Sequence, residues 1–209
     1  MTYKEMQNEV LSLLMDQSPL ILAGVPNYIN TAIQQIAEDV RFPELRQVSS
    51  VTTSTTTYYG NMPTGFSSRL TYAGDSDGQY TILNTLEELI ELYPALDETG
   101  DIQYVHCSGN ILYYQPIPTV AATVTCIGYH IPVLLVSDSD TPSFIPEFLQ
   151  RETIVNRAAA IGYSFVEDGT EGNKVNTSLF TQLYLNGLNK LREYASRRRS
   201  VVSRSIWSV

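Results

Sequence analysis

The sequence predicts an α+β fold: a helical bundle formed by the N- and C-terminal helices, a small antiparallel β module from the middle of the chain, and an extended C-terminal tail. Three observations carry this. Apolar residues recur at helical spacing near both ends, β-branched and aromatic residues crowd the middle, and arginines collect after residue 195. At 209 residues and 43% hydrophobic composition, the chain can bury one core, or one core with a small satellite.

The elements follow in order. Thr2-Tyr3-Lys4-Glu5 is a capping box, with Met6, Val10, Leu13 and Leu14 on one face, which predicts a helix over about 3–15. Pro26 sits where a first helical residue belongs, and Ile29, Ile33, Ile36 and Val40 continue a second helix over 26–40. A short Pro/Gly-containing link makes the two an antiparallel hairpin. From Val48 the texture becomes β-branched and polar, predicting strands within 48–73 with little to bury. Thr85 to Glu88 is a second capping box, opening a helix over 85–93 that Pro94 stops. Strands return over 102–135, with a hairpin turn at Ser108-Gly109-Asn110. Two helices close the chain, over 146–166 and 174–195, the last capped by Asn173. Gly187 interrupts its apolar stripe, the signature of close approach by another backbone. This organisation gives one domain over 1–195 and an extended tail over 196–209.

Chemistry is sparse. His106, Cys107, Cys126 and His130 lie in predicted strands without C-x-x-C or H-x₃-H spacing, so ordinary sheet residues are expected rather than a metal centre or a Cys–His nucleophile. Gly60 to Ser67, "GNMPTGFS", imitates a phosphate-binding loop, but Phe66 stands where the lysine must be. The "DSD" triplets at 75–77 and 138–140 read as turn formers, since the sixth position counted from Asp75 is Tyr80 and not the glycine a calcium loop needs. No enzyme and no cofactor is expected. Met1 to Val10 lacks an apolar leader region and no apolar run approaches a membrane span, so a chain made in the cytoplasm, with no membrane partner, is the expectation.

Charge is the strongest asymmetry. Residues 190–209 hold six basic residues and one acid, while 1–189 hold seven basic and 21 acidic residues. Arg197, Arg198, Arg199 and Arg204 could neutralise phosphates, with Trp207 stacking on a base, which describes a nucleic-acid-binding accessory protein. The acidic remainder would repel DNA, however, and the interleaved Val201, Val202, Ile206 and Trp207 fit a peptide that docks in a protein groove. Fully extended, the fourteen residues from Ser196 reach roughly 45 Å. Fourteen tyrosines and only 17% charged residues also suit subunit packing.

Taken in order, "VPNYINTAIQQIAEDVRFPELR", "ILYYQPIPTVAATVTCIGYHIPVLL" and "DTPSFIPEFLQRETIVNRAAAIGYSFVEDG", then a last helix with a ragged end, the chain resembles the head–tail adaptor (connector or neck) proteins of tailed double-stranded DNA phages. The resemblance implies a structural protein of the virion neck, assembled in the host cytoplasm. It would form a ring of about twelve copies under the portal protein ring, extend the DNA channel, and carry the tail or tail-nozzle proteins. DNA would pass through the lumen without specific binding. In that setting Arg197, Arg198, Arg199 and Arg204 would meet acidic portal residues, and Ile206 and Trp207 would fill apolar portal grooves. Glu38, Asp39, Glu87, Glu88 and Glu91 are candidates for a negative lumen that lets DNA slide.

Overall fold

The computed structural model describes residues 1–14, 18–167 and 174–205. The chain divides into two compact units, Met1–Pro43 with Pro132–Val209, and Glu44–Ile131. The first is a helical bundle from both chain ends. The second is a β module.

In the bundle, α1 (Tyr3–Leu14) begins as its capping box dictates: Thr2 N donates to Glu5 Oε2 at 2.8 Å and Glu5 N to Thr2 Oγ1 at 3.3 Å. Two more orphan donors of its first turn, Tyr3 N and Lys4 N, are taken by the carbonyls of Asp140 and Asp138. Helix α2 runs over Pro19–Asp39 and begins seven residues before the expected Pro26. Pro19 takes the first-turn position instead, and Pro26 lies inside the helix. Pro26 lacks an N–H, but Ile21, Val25 and Ile29 form a buried stripe across it, and this burial holds the helix together. The free link expected before Pro26 is therefore largely helical.

The strand expected to reach residue 135 stops at His130. Pro132 has no N–H for a ladder, and the Asn30 side chain occupies both backbone groups of Leu135: Leu135 N donates to Asn30 Oδ1 at 2.9 Å and Asn30 Nδ2 donates to Leu135 O at 3.0 Å. Asp140 Oδ2 accepts from Val136 N and Ser137 N, both at 2.8 Å.

The long helix after Pro146 has three parts, α4 (Glu147–Gln150), a π turn (Arg151–Val155) and α5 (Asn156–Val166). Against the π turn lies α6 (Val175–Ser205), at Gly187. A Cβ on that glycine would stand 2.5 Å from the Glu152 carbonyl oxygen, which is the close approach the sequence signalled. Asn173 falls outside the described residues. Two donors at the start of α6 go to Glu167, whose carboxylate accepts from Asn176 N and Thr177 N at 3.0 Å and from Thr177 Oγ1 at 2.7 Å.

The module holds two sheets. One has the order β1 (Arg46–Thr52), β7 (Thr123–His130), β3 (Phe66–Gly74), antiparallel throughout. The other has the order β2 (Tyr59–Asn61), β6 (Ile111–Gln115), β5 (Tyr104–Ser108), β4 (Thr81–Ile82). Here the expectation of a purely antiparallel module needs one correction, since β4 pairs with β5 in parallel. The cause is α3 (Leu86–Leu92), which carries the chain back between them so that both run the same way. Thr85 Oγ1 caps α3 by accepting from Glu88 N at 3.2 Å. The β5–β6 turn holds Gly109 at φ 57°, a left-handed position suited to glycine. Val51, Phe66 and Cys126 of one sheet and Val105, Leu112 and Tyr114 of the other belong to a single buried core. The Tyr114 hydroxyl, deep in that core, accepts from Ser54 N and donates to Tyr59 O.

Candidate docking surface

The arginine-bearing end of the chain is helical where an extended tail from residue 196 was expected, because α6 continues to Ser205. No proline or glycine follows Gly187, and arginine is both a good helix former and favourable near a helix C-terminus. The bundle grips α6 through Tyr184, Leu188, Leu191 and Ala195, all buried. The next three residues, Ser196, Arg197 and Arg198, are exposed. Arg197, with its side chain 83% exposed, stands 3.8 Å from Glu193 one turn back. The Arg198 guanidinium lies over the Tyr194 ring, 5.7 Å from its centre. Arg199 and Arg204 lie further along the same helix. Ile206 and Trp207 lie outside the described residues.

A groove of about 300 Å³ adjoins this end, lined by Phe148, Leu149, Glu152, Lys190, Glu193, Tyr194 and Arg197. Phe148 is 70% exposed and meets the Tyr194 ring edge-on at 5.9 Å. Lys190 Nζ reaches Glu152 Oε2 at 2.6 Å across it. Sequence reading missed the groove, since it depends on two helices some 40 residues apart being brought together by Gly187. The one local sign was a large aromatic, Phe148, next to the core position Leu149.

The five candidate acids divide. Asp39 is tied into the bundle: its Oδ2 accepts from the Tyr184 hydroxyl at 3.1 Å, and burial together with this carboxylate pushes that phenol up to about 12. Arg157 sits over the same ring and donates to Gln35. Glu88 is a capping residue, accepting from Asn84 N at 2.9 Å. Glu38, Glu87 and Glu91 are exposed on their helices. Asp39 shares that exposure despite its contact with Tyr184, whereas Glu88 is half-buried.

The histidines and cysteines do not converge. His106 meets the Leu83 carbonyl and stacks on Tyr113, whereas His130 meets Ser49 and the edge of Phe66. Both cysteines are free and buried, and burial pushes Cys107 up to about 11 and Cys126 to about 12. A thiolate nucleophile needs the opposite shift. Asp75 is a turn former, accepting from Asp77 N, Gly78 N and the Tyr80 hydroxyl, and chiefly the last holds its carboxyl below the usual range. Among the described residues no group of three or more His, Cys, Asp or Glu could hold a metal ion. No described helix is long and apolar enough to cross a membrane.

Comparison with curated proteins finds no match. The model of one protein family, described as SU10 adaptor protein, matches residues 1–205. With nearly every residue matched, from the capping box at Thr2 to the end of α6, the chain belongs to the SU10 adaptor protein family, a family of structural proteins of phages.

Proposed function

We propose that the chain is the subunit of a head–tail adaptor ring, about twelve copies, which seats beneath the portal ring, extends the DNA channel and gives the tail proteins their attachment surface. The family match supports the class of protein, and one feature of the molecule supports the mode of docking. Ala195 is buried against the bundle, and Arg197 and Arg198 just beyond it are exposed. Cations at a helix C-terminus also offset the negative end of the helix dipole, so an acidic partner surface meets charge that the helix itself favours there. Each contact is small, but a ring repeats it, and avidity turns a weak contact into a lasting one. Glu38, Glu87 and Glu91 are the acids this reading places towards passing DNA.

The test compares full-length protein with residues 1–195 for binding to the portal ring of the same phage, at low and high salt. Binding by the full chain alone, weakened only modestly by salt, is the expected result. Failure of both chains, with DNA binding by the full chain that falls steeply with salt, would establish the nucleic-acid accessory reading instead.

A further inference from the structure

Three contacts fix the order of layers across the bundle. On α5, Tyr163 stacks on Phe180 of α6, while Phe165, two residues on, stacks on Tyr28 of α2. Two residues turn a helix by about 200°, so α6 and α2 lie on opposite sides of α5. On α2, Asn30 follows Tyr28 by the same two residues and holds both backbone groups of Leu135. The order is therefore segment 132–136, α2, α5, α6.

Both outer layers expose an apolar strip. Leu135 is buried, which turns its neighbours Leu134 and Val136 outwards, and Val133 and Val136 are 89% and 81% exposed. The clamp from Asn30 and the bond from Val136 N to Asp140 hold this strip in place. On α6 the strip is Val175, Leu179 and Leu183, one turn apart and all exposed, with Tyr184 and Leu188 buried on the other face. The strips match in length: Val175 to Leu183 rises roughly 12 Å, and Val133 to Val136 spans at most roughly 10 Å. They match in charge as well. From Val175 to Asn189 there is no charged residue, and none from Pro132 to Val136, in a chain of net charge −9 whose copies repel each other elsewhere. Lysines bound the first run, Lys174 and the Glu152-paired Lys190, and aspartates follow the second, Asp138 and Asp140. Strip against unlike strip brings opposite charges together at the rims, whereas either strip against itself brings like charges together.

We infer that the occupant of each strip is the other strip on a second copy of this chain, with Val133 and Val136 against Leu179 and Leu183 at the apolar centre of the contact. Such a contact is heterologous and leaves one unused strip at each end of any assembly, so it propagates until a ring closes. Closure into a ring rests on the adaptor reading; the pairing of the strips does not.

The experiment is sedimentation at rising concentration of full-length wild type, Leu179→Glu, Val136→Glu and an equimolar mixture of the two variants, with melting temperature as the folding control. Both side chains are exposed, so both variants are expected to melt like wild type. Wild type is expected to associate beyond the dimer. Each variant alone loses every contact, because each contact uses one strip of each kind, and its association is expected to weaken at least about tenfold. The mixture is expected to form a one-to-one dimer and stop there, since each variant keeps the strip that the other lacks. Wild type that stays monomeric, a variant that associates like wild type, or a mixture that stays monomeric would each overturn the inference. Binding to the portal ring is a separate measurement: if it fails while the mixture still forms its dimer, the adaptor reading falls and the paired strips stand.

Discussion

At the scale of single residues, Gly187 is the position with least tolerance. Any side chain there must displace the Glu152 backbone of the π turn. Gly187→Ala is expected to destabilise the protein by about 1–3 kcal/mol, the usual cost of overpacking, as read from urea unfolding. An unchanged midpoint would mean that α6 can move away from the π turn. The two thiols make a second test. Both are buried with raised pKa values, so a thiol reagent at mildly alkaline pH is expected to react with neither until the protein unfolds. Glu167 makes a third. Hydrogen bonds, first that from Thr177, hold its carboxyl below the ordinary value of 4.5. A depressed carboxylate stabilises the fold above its unfolded pKa, and that contribution disappears as pH falls through the folded value. Glu167→Gln is therefore expected to lower the melting temperature at neutral pH and to narrow its gap from wild type between about pH 5 and pH 3. A constant gap would show that the charge has no part in capping α6.

At the scale of elements, the caps behave as local chemistry dictates. Thr85→Ala removes the hydroxyl that Glu88 N uses and is expected to cost about 1 kcal/mol, measured by urea unfolding. No loss would mean that water or Glu88 replaces it. These caps were legible in the sequence because donor and acceptor lie within four residues of each other, and so were the amphipathic stripes, the Gly109 turn and the special role of Gly187. The elements misread depend on partners far along the chain. Leu135 leaves the sheet because Asn30 claims its backbone, and β4 is parallel because α3 intervenes. The tail was misjudged for a different reason. Its irregular apolar pattern suggested no core element, but a helix needs only permissive residues and a preceding turn to extend. A helical segment over 196–205 rises roughly 15 Å, far less than an extended one. The Phe148 groove, lined by two helices far apart in the chain, had no motif to announce it.

At the scale of the whole molecule, the two units are connected in an economical way. The module enters through β1 and leaves through β7, and these strands are paired in register, Arg46 opposite Tyr129. Paired residues on adjacent antiparallel strands have Cα atoms about 5 Å apart, a gap that two residues can bridge. A chain joining residues 1–46 to 129–209 through Gly-Ser is expected to keep a cooperatively melting helical bundle by far-ultraviolet circular dichroism. Loss of the helical signal would show that the bundle requires the module to fold. The adjacent entry and exit also have a consequence for how such a chain can change. An excursion that returns to its starting point leaves the path of the remaining polypeptide unaltered, whatever its length. The middle of this protein can therefore be enlarged, shortened or exchanged, like a fitting on a fixed mount, while the helices at both ends keep their partners.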